Sequence, residues 1–166
     1  EWTPATSFSG QENQFDFASM QFAMHYMMES EDRLRNFFRS WVEQLKPGGY
    51  FVATSTDAHS MAQIMAQHVP DSTSGETVVQ IKDQLGRVNC QITFPKSTRD
   101  ALMRNNGSTT SDFGMTCQFK LTEHREDGDF VDAVNAKEWL IPVESVVQIA
   151  AEFNLLLLGA SRFDQH

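Results

Sequence analysis

Apolar side chains along this chain fall into runs whose period changes from place to place. FDFASM, residues 15 to 20, is a nearly continuous apolar run, the pattern of a parallel strand covered on both faces. From residue 31 the period becomes helical, with Leu34, Phe37, Phe38, Trp41 and Leu45 on one side. Ser30 stands where an N-cap is needed, Glu31 and Asp32 favour the positive end of the helix dipole, and Glu31 can pair with Arg35 one turn later. KPGG, residues 46 to 49, reads as the stop of that helix, and YFVATS, residues 50 to 55, as a second strand. Asp57 can cap a second helix carrying Met61, Ile64 and Met65 on one face. Strand, helix, strand and helix in close succession is the order of an α/β sheet with right-handed crossovers.

The character changes after residue 70. TVVQIKD (77–83) and VNCQITF (88–94) flank QLGR and predict a hairpin. RNNGSTTSD (104–112) reads as a loop, MTCQFKLTE (115–123) alternates as a half-buried strand, and REDGD (125–129) turns the chain. Pro142 suits the first turn of a third helix with Val143, Val146, Val147 and Ala150 on its apolar face. LLLLGAS (155–161) predicts a last buried strand, and the polar residues 1 to 14 a loop. There is no internal repeat and no low-complexity tract.

Composition narrows the function classes. A chain of 166 residues makes one domain, and such a domain buries roughly 70% of the surface its unfolded form exposes. Net charge is −9, from 13 basic and 22 acidic residues, which argues against broad binding to nucleic-acid backbone but not against one nucleotide in a pocket. Cys90 and Cys117 form no CxxC pair and are expected as thiols in a reducing compartment. The five histidines lie at no zinc-site spacing, so no metal is expected. No apolar run reaches the roughly 18 residues of a membrane helix, and there is no signal-peptide pattern.

The chemistry concentrates after the first strand, in MQFAMHYMMES. In open α/β sheets ligands lie beyond the carboxyl ends of the strands. There Gln21 offers an amide, His25 donates or accepts near neutral pH, and Tyr26 adds a flat ring and a hydroxyl. Phe22, Met24, Met27 and Met28 could wall a planar polar ligand. The same residues also fit a plainer reading: a satisfied histidine, a packed tyrosine and methionines filling a core.

FDFASMQFAMHYMMES together with LKPGGYFVATSTD resembles the second half of the mRNA cap (guanine-N7) methyltransferase family, which shows a strand ending in Gln-Phe-x-x-His-Tyr, a helix, Leu-x-Pro-Gly-Gly and a strand. FGMTCQFKL resembles the family's Phe-Gly-x-x-Tyr-x-Phe-x-Leu segment, with Cys117 and Gln118 where an aromatic is usual nearby. AKEWLIPVESVVQIAAEFNLLLL resembles its Pro-Glu-Tyr-Leu-Val segment, helix and strand, with Lys137 in place of Pro and Trp139 in place of Tyr. The likeness runs over about residues 15 to 163. Pro-Gly-Gly alone is common among methyltransferases; Gln-Phe-x-x-His-Tyr followed at this distance by Lys-Glu-Trp-Leu is far more specific.

The resemblance implies an α/β fold: part of a class I S-adenosylmethionine-dependent, Rossmann-like methyltransferase sheet. Residues 15–69 would supply strand, helix, strand and helix, 70–135 a β-rich substrate insertion, and 136–166 a helix and the last strand. It implies that Gln21 and Tyr26 touch S-adenosylmethionine, that His25 and Tyr26 line a pocket for the cap guanine, and that Glu138 accepts hydrogen bonds from the guanine N1 and N2 edge. That edge has two adjacent donors and a carboxylate has two acceptors. Methylation at N7 needs no general base, so no catalytic side chain is expected beyond those that align the reactants. The implied partner is the 5' cap of mRNA and the implied compartment the nucleus.

The Gly-rich turn and the ribose-binding acid of a class I methyltransferase have no counterpart in these 166 residues. The chain therefore resembles the later half of that fold and is expected to bind the cofactor poorly alone. Its sheet edge would be covered by an N-terminal half or by another chain. Two other functions fit less of the pattern: a class I methyltransferase acting on a small molecule, and a non-catalytic module that binds a cap or a partner.

Overall fold

A computed structural model describes residues 15–104, 113–124 and 130–163. Strand β1 (Phe15–Gln21) leads into a short 3-10 helix, Met24–Glu29, and then helix α1 (Glu31–Val42) and strand β2 (Leu45–Thr54). Helix α2 (Ala58–Met65), strands β3 (Thr77–Lys82) and β4 (Val88–Phe94), and helix α3 (Lys96–Arg104) follow. Strands β5 (Thr116–His124) and β6 (Phe130–Trp139) and helix α4 (Val143–Glu152) complete the order. β1 and β2 pair in parallel, and β3-β4-β5-β6 form an antiparallel sheet in that order, so the chain is a mixed α/β structure.

The local signals that start α1 and α2 act as expected. Ser30 Oγ accepts from Arg33 N at 3.2 Å, and Asp57 accepts from the backbone N–H groups of His59 and Ser60. Arg35 binds Glu31 at 2.6 Å and also reaches Glu152, tying α1 to α4. Leu34, Phe37 and Phe38 are buried beneath α1, while Leu45 is buried from β2 rather than from the helix.

KPGG does not stop α1, which ends at Val42. It forms an irregularity inside β2, where the register passes from Phe15↔Leu45 to Phe17↔Tyr50. Gly48 has φ +81°, and a Cβ on Gly49 would lie 3.0 Å from the Lys46 carbonyl and 3.2 Å from that of Asp16. The glycines let the strand fold back on itself while β1 stays close.

Two cores result. One lies between the inner face of the antiparallel sheet (Val79, Ile92, Phe94, Cys117) and helices α2 and α3 (Ala62, Met65, Ala101, Leu102). The other joins the 3-10 helix, α1 and α4 to one side of the parallel pair, through Met28, Phe37, Phe38 and Ile149 with Met20 and Phe51. The segment after β6 stitches them together: Leu140 N donates to Met115 O at 2.9 Å and Ala58 N to Ile141 O at 2.8 Å.

Three expectations are corrected. β1 is not covered on both faces: Ala18 is buried, but Phe15 and Phe17 are exposed, as are Tyr50 and Val52 beside them on β2. A single layer packs on this pair among the described residues. Residues 155–161 form no strand, because their backbone finds no ladder partner among the described residues, and Leu156, Leu157 and Leu158 project outward. Pro142 caps α4 rather than entering it, and the buried stripe includes Ser145 and Ile149. Helix α3 and strand β6 were not expected, and β6 runs on past residue 135 to Trp139. The loops expected at 1–14 and 125–129 lie outside the described residues, as does all of that expected at 104–112 except Arg104, which ends α3.

Candidate functional site

The carboxyl ends of β1 and β2 open toward the 3-10 helix. Phe22 follows β1 with φ +52°, a strained value for a residue with a side chain. Its N–H is held by the Thr54 carbonyl at 3.1 Å and by Thr54 Oγ1 at 2.9 Å. That turn directs the chain into Met24–Glu29, where alternate environments separate the side chains. Met24, Met27 and Met28 go into the core, so they are not the wall of an open pocket; Phe22 is exposed.

His25 is 6% exposed and its Nε2 meets Glu138 Oε2 from β6. The two atoms approach closely but without hydrogen-bond alignment, and neither has another hydrogen-bonding partner among the described residues. On the other side of the ring, Ser55 Oγ lies 3.5 Å from Nδ1. Burial lowers the His25 pKa from its ordinary 6.5, against the opposing pull of the Glu138 charge, so the neutral imidazole prevails at neutral pH. The carboxylate then favours the tautomer with its proton on Nε2, leaving Nδ1 to accept from Ser55.

Aromatic groups surround this pair. The Tyr26 ring lies 4.1 Å from the imidazole by centroids and meets Trp139 edge-on at 5.8 Å. Lys137 Nζ sits 4.9 Å from the Trp139 ring centre. Thr56 Oγ1 donates to the Trp139 carbonyl at 3.3 Å, which fixes the end of β6 against the end of β2. Behind Glu138, Cys117 is its cross-strand neighbour, and burial with the nearby charge of Glu138 pushes the Cys117 thiol up to about 11. Cys90 and Cys117 are free thiols.

The structure therefore brings His25, Tyr26 and Glu138 together. Gln21 stays apart at the exposed end of β1, its amide donating to Ser19 Oγ at 2.7 Å. Ser55 was not singled out from sequence, although it directly follows β2 at the end where ligands gather in α/β sheets, and Trp139 was noted in the resemblance but given no role at the site. Such an arrangement can hold a flat, polar molecule: a half-buried carboxylate with one buried oxygen seeks donors, and rings stand beside it. Among the described residues no group of three or more His, Cys, Asp or Glu side chains is placed to hold a metal ion, and no helix is long and apolar enough to cross a membrane.

Residues 5–166 match the family described as the mRNA (guanine-N(7))-methyltransferase domain. The chain belongs to this family. Among its relatives are the mRNA cap guanine-N(7) methyltransferase of Caenorhabditis elegans, 45% identical over 149 residues, and that of Caenorhabditis briggsae, 31% identical over 149. Each comparison covers 90% of this chain and 32% of the relative. The mRNA cap guanine-N(7) methyltransferase 1 of Arabidopsis thaliana is 29% identical over 144 residues, 87% of this chain and 32% of that protein. The chain thus spans about a third of the length of these curated relatives.

Proposed function

We propose that this chain supplies the guanine-binding side of an mRNA cap (guanine-N7) methyltransferase, acting in the nucleus. The observation that carries the reading is the buried, incompletely bonded His25–Glu138 pair beside Tyr26 and Trp139. Family membership gives it context, since the relatives are named for methylating the cap guanine. Glu138 would accept from the N1–H and N2–H donors of guanine. Oε2 already faces His25, so the imidazole fixes the carboxylate's angle while guanine completes its bonding. Tyr26 would flank the base.

The fold in this reading is the later part of a class I, Rossmann-like methyltransferase domain. Residues 15–69 and 136–166 belong to its main sheet layer, and 70–135 largely to a substrate insertion. S-adenosylmethionine supplies a methyl group already activated on sulfonium sulfur. The fit to this chain is one-sided: Gln21 and the partly exposed Tyr26 offer an amide and a ring at the strand ends, and the sequence has no Gly-rich turn after a strand. Gln21 and Tyr26 would hold one edge of the cofactor. A further part of the protein, or another chain, would hold the rest and pack on the side of β1–β2 that no described residue covers.

N7 of guanine carries a free lone pair at neutral pH, so no side chain has to remove a proton. The residues here orient the base, exclude water from its edge and keep the nucleophile in line with the methyl group. In the complete protein, His25→Ala and Glu138→Ala are each expected to lower methylation of capped RNA by about tenfold or more, because a buried unpaired group costs about 1–3 kcal/mol. Unchanged rates in both variants would remove the pocket assignment.

A further inference from the structure

The antiparallel sheet has two unlike faces. Its inner face is the core with α2 and α3. On its outer face the registered rows are Val78, Thr93, Gln118 and Lys137, then Gln80, Gln91, Lys120 and Asn135. Gln80 binds Gln91 at 3.2 Å and Gln118 binds Asn135 at 2.7 Å, so the face is a lattice of amides with lysines set into it. Gln80, Gln118, Asn135 and Lys137 are exposed.

A polar outer face is ordinary for an antiparallel sheet. Two further features are not ordinary. The first is sign. The chain carries −9, yet this face presents Lys120 and Lys137 against Asp132, with an exposed Lys82 at its margin, beyond the irregularity that interrupts β3 after Ile81. Lys120 pairs with Asp132 at 3.0 Å; Lys82 and Lys137 form no ion pair with the described residues. The second is continuity with the candidate site. Lys137 and Trp139 lie on this face, Glu138 between them points to the other, and Trp139 meets Tyr26 edge-on. A molecule whose base sat at Glu138 and Tyr26 would leave around the end of β6 past Trp139 and Lys137.

We infer that this outer face is a track for the single-stranded RNA that follows the cap. The inference rests on the cap reading above and extends it beyond the guanine. Trp139 offers a ring for one base at the entrance, Lys137 takes the first phosphates, and the amide rows accept the chain without demanding a sequence. Four strands at about 4.8 Å spacing make the track roughly 14 Å wide, room for one strand of nucleic acid and not for a duplex.

The test compares binding of the unmethylated cap dinucleotide GpppG with that of a GpppG-capped RNA of about ten nucleotides by the complete protein, across a salt series. The capped RNA is expected to bind about tenfold more tightly at low salt, because each added phosphate contact releases counterions. In a Lys82→Ala, Lys137→Ala double variant that advantage should shrink, and the salt slope for the capped RNA should fall by about 1.4, at 0.7 per lysine on a single strand. Asp132→Asn, which frees Lys120, should move the affinity the other way. Acetylation footprinting should find Lys82 and Lys137 reactive in the free protein and protected by the capped RNA. Equal affinity for dinucleotide and RNA, an unchanged salt slope in the double variant, or lysines already protected in the free protein by another segment or partner, would overturn the track while leaving the cap reading intact. Failure to bind or methylate the dinucleotide at all would instead overturn the cap reading, and the track with it.

Discussion

The two sheets use similar apolar residues to different ends. In the antiparallel sheet Val79, Ile92, Phe94 and Cys117 are all buried on one face, and the other face is polar. In the parallel pair, among the described residues, one side meets a core, and Phe17 and Tyr50 on the other are each 57% exposed. Parallel strands joined by crossovers are built for layers on both sides, whereas an antiparallel sheet is stable with one. An apolar run therefore reports how many faces a strand is made to bury, and the described residues fill one of them.

The contrast can be broken by truncating one phenylalanine in each sheet. Phe94→Ala, at a site with no exposure, should cost about 3–5 kcal/mol in urea unfolding of this chain. Phe17→Ala should cost less than about 0.5 kcal/mol, since it removes a mostly solvated ring. In a longer protein that covers β1–β2, the Phe17 cost should rise toward that of a core site. Equal losses in the isolated chain would show that the open face is covered there already.

A smaller effect sharpens the same comparison. Gly49→Ala forces a Cβ against the Lys46 and Asp16 carbonyls and should cost about 1–3 kcal/mol. Hydrogen exchange should quicken at the β1–β2 ladder while β4–β5 stays protected. Loss of protection across both sheets would mean that they unfold as one unit.

The smallest effect lies where the two regions meet, at His25. Its pKa is lowered in the folded chain, first by burial, with Glu138 opposing. Above its ordinary value of 6.5 the imidazole is neutral in both states and the stability is fully present. As pH falls through 6.5, the unfolded chain takes up a proton that the folded site refuses, and stability declines until the lower folded pKa is passed. His25→Gln should flatten that part of the melting profile. A native chain that gains stability as pH falls in this window would show that the Glu138 charge outweighs burial.

What the sequence disclosed follows the reach of each interaction. Ser30, Asp57 and the QLGR turn act within a few residues, and α1, α2 and the β3–β4 hairpin were legible from them. Helix α3 was hidden because its buried stripe is Thr98, Ala101 and Leu102, with the Thr98 hydroxyl donating to the Thr116 carbonyl rather than adding apolar bulk. β6 is an edge strand, exposed for most of its length, and shows little alternation. Leu155–Leu158 misled in the opposite sense, since an apolar run cannot announce whether a neighbour will pair with it. At the site, the polar cluster of Gln21, His25 and Tyr26 could be read from position after a strand. The meeting of His25 with Glu138 could not, because it depends on how β6 returns beside β2; only the family resemblance pointed to it.

The central claim is that the Glu138 carboxylate, angled by His25, reads the N1 and N2 edge of the cap guanine. The direct measurement is kcat/KM of the complete protein for RNA capped with guanosine and for RNA capped with inosine, which lacks the N2 amino group, in the native form and in Glu138→Gln. The native protein should prefer guanosine by about tenfold or more, equivalent to about 1.4 kcal/mol, and Glu138→Gln should lose most of that preference. A Glu138→Gln protein that keeps both its rate and its preference for guanosine would contradict the account.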